Sequence, residues 1–243
     1  MITVTDIRKS FDEKEVLKGV SATFKEGECS LIIGRSGAGK TVLLKTVVGL
    51  ITPDAGKVMY NDKDLHSLLG KEMKQLRKEV GMLFQSSALF DSMTILENVM
   101  FPLDMFSPMR GADRLARAKE CLERVKLYEA RYKYPSEVSG GMMKRAAIAR
   151  AIALKPKYLF CDEPNSGLDP QTSQHIDELI QEITRELKMT TLINTHDMNS
   201  VRNIGDHVLF LHQGRLEWEG KGSDIEACDN LILKNFVFLN DNG

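Results

Sequence analysis

Apolar positions along this chain change period repeatedly, and the changes mark out alternating elements. The stretches VTDI, VLKGVSATF and EGECSLII are rich in β-branched residues, so the first 33 residues predict strands. A helix is expected over residues 39–49, a turn at TPDAG, a strand at KVMY, a helix over 71–78 and a buried strand at VGMLF, residues 80–84. Leu115, Ala118, Leu122 and Val125 share one face of a predicted helix over 111–127. Residues 139–154 are predicted helical, and KYLFCDEP a buried strand that ends in two carboxylates. Ile176, Leu179, Ile180, Ile183 and Leu187 then form a helical stripe over 172–187. TTLINTH reads as a strand, 197–203 as a short helix, and HVLFLH with RLEWEG as strands around Gln213-Gly214. Residues 222–239 read as a terminal helical extension with Leu231, Ile232, Phe236 and Leu239 apolar.

Strands alternating with helices predict an α/β fold with a mainly parallel sheet. An N-terminal antiparallel β subdomain and an inserted α-helical subdomain are expected beside that core. The divisions expected are a nucleotide-binding core at 1–85 and 156–220, an α-helical insertion at 86–155, and an extension at 221–243. Between Phe84 and Phe106, thirteen of 23 residues are apolar, which sets this start of the insertion apart. Most of its Phe and Met residues are expected to fill the insertion's core. Phe90, Met93, Met100 and Phe101 are candidates to line a groove, since Met suits an adaptable contact surface.

Composition narrows the classes. With 33 basic against 34 acidic residues, affinity for nucleic acid through net charge is not expected. The four cysteines lie far apart and form no C-x-x-C pair, which argues against a disulfide framework or a zinc site. The opening MITVTDIRKSF lacks the apolar run of a signal peptide, and no window of 18 residues reads as a membrane span.

The chemistry begins at residues 34–41, GRSGAGKT, a full G-x-x-x-x-G-K-[ST] match between an apolar strand and a helix. Gly34, Gly37 and Gly39 permit a tight backbone path, and loop N–H groups at a helix N-terminus capture phosphate. Lys40 would serve the β/γ-phosphates, and the Thr41 hydroxyl could ligate Mg²⁺. Asp162 and Glu163 fall at a strand's C-terminal end, where ligands sit in open α/β sheets. Asp162 suits Mg²⁺, and Glu163 suits a general base acting on water. His196 and Gln85 follow strands in the same way, as a candidate phosphate sensor and a candidate contact to Mg²⁺ or to the attacking water. Ser139-Gly140-Gly141 opens a helix about 100 residues away and offers a second phosphate site. One chain has only one nucleotide loop, so the second site predicts two chains facing head to tail.

This ordered set, running from Phe11 to His212, resembles the ATP-binding-cassette ATPases. The resemblance implies that Phe11 stacks on adenine and that Gly34, Arg35, Ser36, Gly37, Ala38, Gly39, Lys40 and Thr41 form the Walker A loop. It makes Gln85 the Q-loop glutamine, VSGGM (138–142) the signature, Asp162 and Glu163 Walker B, Ser166 to Asp169 the D-loop, and His196 the switch histidine. ATP and Mg²⁺ are the implied cofactors. The first and last positions of VSGGM depart from the commoner LSGGQ, and SGLD stands for SALD, without removing the groups that meet phosphate. Two segments, FQSSALFDSMTILENVMFPL and VSGGMMKRAAIARAIALKP, are similar to the ATPases of Mla-type, MCE-associated lipid transporters (MlaF-like). That narrower resemblance implies phospholipid transport between inner and outer membranes. It also implies MlaE-like permease subunits, an MCE-domain protein, an ATPase homodimer at the cytoplasmic face of the inner membrane, and room for a small accessory protein. The region after Phe84 would receive the permease.

Other cargo for an importer or exporter stays open, as does a soluble non-transport cassette acting on DNA or ribosomes. The latter lacks support from any coiled-coil insertion or second cassette. A metabolic P-loop kinase would leave VSGGM, SGLD and His196 unexplained.

Overall fold

A computed structural model describes residues 1–241. In chain order the strands and helices are β1 (Ile2–Phe11), β2 (Lys14–Phe24), β3 (Cys29–Ile33), α1 (Lys40–Val48), β4 (Ala55–Tyr60), β5 (Lys63–Asp64), α2 (Gly70–Lys78) and β6 (Val80–Leu83). They continue with α3 (Ile95–Phe106), α4 (Gly111–Arg124), α5 (Gly140–Ala151), β7 (Tyr158–Asp162), α6 (Pro170–Glu186), β8 (Thr190–Asn194) and α7 (Met198–Ile204). Last come β9 (His207–His212), β10 (Arg215–Gly220) and α8 (Leu231–Asp241).

Two sheets result. The first is antiparallel, in the order β2-β1-β4-β5. The second runs β10-β9-β3-β8-β7-β6, parallel from β9 to β6, with β10 antiparallel at one edge. This is the α/β fold with a mainly parallel sheet predicted from the alternation of elements. The central strands β3 and β8 are buried at every position, and the buried polar residues Ser30, Thr190, Thr191 and Asn194 lie among their apolar ones. Successive residues face opposite layers. Leu31, Ile33, Leu159 and Cys161 join a core shared with α3–α6, while Ile32, Tyr158 and Phe160 pack under the antiparallel sheet and α1.

The insertion is anchored locally as well as through its core. Thr94 and Glu97 form a capping box that starts α3. Asn98, fully buried, accepts a hydrogen bond from Phe90 N–H (2.8 Å) and donates to the carbonyls of Phe90, Met93 and Thr94 (3.0–3.1 Å). The loop before α3 is therefore tied down by one carboxamide. Among the groove candidates, Phe90 is exposed and packs on Phe101 with ring centroids 4.7 Å apart, whereas Met100 packs against the core. Phe84, Met105, Phe106 and Met109 are further exposed apolar residues here.

The extension differs from the prediction. Only a single 3₁₀ turn, Gly222–Asp224, precedes a helix that starts at Leu231 and not near 222. Asn230 sets that start, since its Oδ1 accepts from the N–H groups of Ile232 and Leu233 at 3.0 Å each. Of its apolar residues, Leu233 and Phe236 are inside, while Leu231, Ile232 and Leu239 are exposed. Phe236 packs on Phe210 of β9, with centroids 5.2 Å apart. Asn242 and Gly243 of the predicted extension lie outside the described residues. No helix of the described residues is long and apolar enough to cross a membrane.

Candidate functional site

The loop between β3 and α1 has a backbone that only glycine allows. Gly34, Gly37 and Gly39 have φ of +146°, +78° and +104°. A Cβ on Gly34 would stand 2.2 Å from the Leu211 carbonyl oxygen, so the loop is pressed against β9. Helix α1 begins with no side-chain cap and no acidic residue in its first turn, which leaves its N-terminal amides and positive dipole end for an anion. Lys40 is nearly buried. Its ammonium donates to the Gly34 carbonyl at 2.8 Å and the Arg35 carbonyl at 3.4 Å. Burial lowers its pKa, opposed by the charges of Glu163 and Asp162.

Across from the loop, β7 and β8 end side by side. Asp162 pairs in register with Asn194, and Asn194 Nδ2 donates both to Asp162 Oδ1 (2.6 Å) and to Thr41 Oγ1 (3.0 Å). Glu163 follows with φ +50°, a left-handed conformation that costs a non-glycine residue energy and turns the side chain away from that of Asp162. Its N–H donates to the Asn194 carbonyl at 2.9 Å, and its Oε2 lies 2.8 Å from His196 Nδ1. The Glu163 carboxylate is mostly shielded while His196 is exposed. An imidazole can thus orient a carboxylate that faces a shielded pocket, an arrangement able to polarise water.

Gln85 donates through Nε2 to Ser166 Oγ at 3.2 Å, which links the end of β6 to the segment after Glu163. Two cations that sequence reasoning passed over hold this region. Lys144 of α5 is buried and donates to the carbonyls of Gln85 and Glu163. Arg150, two turns later, donates to the carbonyls of Ser87 (2.8 Å) and Ala88 (2.7 Å), both residues with positive φ. Their signal was available as basic residues on the inner face of an otherwise Ala-rich helix.

One cleft of about 750 Å³ gathers residues 34–42, Gln85, Glu163 and His196, with Phe236 and Leu239 of α8 on its wall. Ser139, Gly140, Gly141 and Asp169 line a different cleft of about 630 Å³. Ser139 caps α5 by accepting from Met142 N–H at 3.3 Å, and Asp169 caps α6 with both carboxylate oxygens on Thr172, at 2.9 and 2.6 Å. The hydroxyl and amide of Thr172 hold the Asp169 carboxyl below its ordinary pKa. Phe11 does not line the loop's cleft. It lies at the β1–β2 turn with Lys9 Nζ 5.5 Å from its ring centroid, while Lys14 and Val16 reach the cleft instead.

A divalent cation fits part of this arrangement. Among the described residues no three His, Cys, Asp or Glu side chains converge on a metal site. One hydroxyl and one carboxylate drawn together by a shared amide match the way Mg²⁺ binds, through one or two protein oxygens plus substrate phosphates.

Comparison with known proteins agrees with the geometry. The family profile for the ABC transporter domain matches residues 17–166. The methionine import ATP-binding protein MetN of Caulobacter vibrioides is 41% identical over 93% of this chain and 68% of its own length. MetN of Rhizobium johnstonii is 40% identical over 91% of this chain and 61% of its own. The probable ribonucleotide transport ATP-binding protein Mkl of Mycobacterium tuberculosis is 35% identical over 97% and 66%. The chain therefore spans between three fifths and just over two thirds of these relatives. Among solved structures, a dimeric ATP-binding cassette in a post-hydrolysis state with ADP and Pi superposes with a TM-score of 0.82, at 33% identity. That match covers 91% of this chain and 98% of the other. CbiO1 of Clostridium perfringens, part of the transporter complex CbiONQ, gives a TM-score of 0.86 at 28% identity, covering 99% and 96%.

Proposed function

The chain belongs to the ABC transporter family, and from that premise we propose that it is the ATP-hydrolysing subunit of a membrane transporter, acting as a head-to-tail dimer beneath a partner permease. The observation carrying this reading is the separation of the two clefts. The phosphate loop, Glu163 and His196 share one, and the Ser139–Gly141 helix start opens into another. Neither half surrounds a triphosphate alone. A second copy, inverted, would bring its serine-glycine helix start over the phosphate held by this chain's loop.

In this reading the loop amides and Lys40 hold the phosphates, and Lys40 exchanges its contacts with the Gly34 and Arg35 carbonyls for the nucleotide. Thr41 and Asp162 would hold Mg²⁺, which when bound would supply positive charge to the phosphates. Glu163 takes a proton from the attacking water, and His196 keeps the carboxylate aimed. Gln85 senses the site and passes its state to the apolar surface around Phe84 and Phe90, where the permease docks. Arg35, Ser36 and Ala38 contribute loop amides, and Asp169 works through the Ser166–Asp169 turn between the two clefts. Phe11 would reach an adenine only beyond the cleft's edge.

For cargo, the MetN relatives favour import of a small solute such as an amino acid over phospholipid movement. The phospholipid reading rests on residues 84–103 and 138–156 alone. It would require an MlaE-like permease and an MCE-domain protein at the inner membrane. Reconstitution with the cognate permease in proteoliposomes decides between them. Under the solute reading, Mg-ATP hydrolysis rises when an amino acid and its binding protein are supplied and is indifferent to acceptor lipid. Stimulation by an acceptor for phospholipid, with no response to solute, reverses the assignment. Absence of any Mg-ATP hydrolysis would overturn the ATPase reading itself.

A further inference from the structure

Asn194 is the last residue of β8, a strand buried at every position, and its own side chain is fully buried. A carboxamide in that setting costs free energy unless it is hydrogen-bonded. Strand register places it level with Ile32, which leads into the phosphate loop, and with Asp162. Its two N–H bonds go to Asp162 Oδ1 at the end of β7 and to Thr41 Oγ1 in the first turn of α1. The orientation follows from charge: flipping the amide would set its oxygen against the Asp162 carboxylate at 2.6 Å. The remaining acceptor, Asn194 Oδ1, is buried and has no hydrogen-bond partner. Buried amide oxygens are seldom left so, and none of the described residues supplies a donor for this one.

Resting on the reading of Thr41 and Asp162 as Mg²⁺ ligands, we propose that Asn194 is a positioning residue for the divalent cation. It draws the two ligands together and holds them in place before nucleotide arrives. By donating to one oxygen of Asp162 it leaves the other for the cation or its water. By donating to Thr41 it occupies one lone pair of the hydroxyl and leaves one for the metal. A residue supporting metal ligands from behind typically changes metal affinity about 10–100-fold when removed.

The test uses the full chain with Asn194→Leu, which keeps volume but has no donors, and Asn194→Ser, which is too short to span both partners. Binding of a fluorescent, non-hydrolysable ATP analogue is titrated in EDTA and at stepped Mg²⁺ concentrations, alongside melting temperature. The expected result is unchanged binding in EDTA, with the Mg²⁺ concentration for half-maximal enhancement raised about 10-fold or more in both variants. Hydrolysis should then recover at high Mg²⁺. Unchanged Mg²⁺ dependence in either folded variant overturns the proposal. Equal weakening with and without Mg²⁺, together with a lowered melting temperature, also overturns it in favour of strand packing. If the wild-type chain itself gains nothing from Mg²⁺, the assignment of Thr41 and Asp162 fails at its root, a result distinct from failure of Asn194 alone.

Discussion

Gly140 and Gly141 occupy the first turn of the same helix, and the structure predicts opposite outcomes for giving each a methyl group. A Cβ on Gly141 would lie 2.6 Å from Thr172 Cγ2, closer than carbon atoms tolerate. Thr172 has little freedom to turn aside. Its Oγ1 donates to Asp169 Oδ2 at 2.6 Å, so a new rotamer would break the cap of α6. At Gly140 the nearest atom to the new carbon is Leu168 Cδ2 at 3.6 Å, an ordinary contact. Overpacking costs about 1–3 kcal/mol, and replacing helical Gly by Ala returns up to about 1 kcal/mol. Gly141→Ala should therefore be destabilised by roughly 0–3 kcal/mol, while Gly140→Ala is neutral or slightly stabilised. For a chain of this size each kcal/mol moves the melting temperature by about 2–4 °C. Calorimetry on both variants without nucleotide measures the gap. Gly141→Ala melting at or above Gly140→Ala would refute the claim that the serine-glycine loop is fixed by contact with α6.

Other outcomes follow from the same coordinates. Glu163→Gln should still bind Mg-ATP and dimerise, with turnover reduced about 10²–10⁴-fold as for loss of a general base, measured by phosphate release; normal turnover would remove Glu163 from that role. Burial raises the Asp177 carboxyl from 3.8 to about 6, against stabilising bonds from Ser200 and Asn165. Because the folded value is the higher, the folded chain holds the extra proton between those values. Stability is lost as pH rises through that window and the penalty is complete above it. Asp177→Asn should accordingly gain on wild type from pH 4 to 6 by roughly 2–3 kcal/mol and then run parallel, as followed by denaturant unfolding; a pH-independent difference would contradict the burial argument.

Much of the glycine loop's cleft was legible because its parts are local. GRSGAGKT between SLII and a helix carries its own geometry, since strand, glycine turn and helix start are adjacent in the chain. YLFCDE behaves likewise, as four apolar residues bury the strand and the carboxylates emerge at its end. What was not legible depends on pairing between distant strands and on helix packing. Asn194 sits in TTLINTH, read only as a strand, and it takes the alignment of β3, β8 and β7 to show that its amide meets Thr41 and Asp162. Lys144 lies two residues past the motif that drew attention, and its partners are 59 and 19 residues away. In the extension, apolar spacing suggested a helix from 222, but Asn230 offers its side chain to the backbone and restarts the helix there. Its inward face is Leu233 and Phe236, at i and i+3 spacing, and Phe236 meets Phe210 of β9, a contact between distant parts of the chain.

The central claim is that each site is completed by a second chain. Lys40→Ala removes the phosphate-loop cation, and Ser139→Arg blocks the helix start in the other cleft, so neither variant alone should hydrolyse Mg-ATP as a homodimer. Mixed together, the two chains form heterodimers in which one loop and one serine-glycine helix start, from different chains, are both intact. Phosphate release from the mixture should then reappear and fall off on dilution. A mixture as inactive as its components, or a Ser139→Arg chain that hydrolyses ATP at the wild-type rate by itself, would contradict a site shared between two chains.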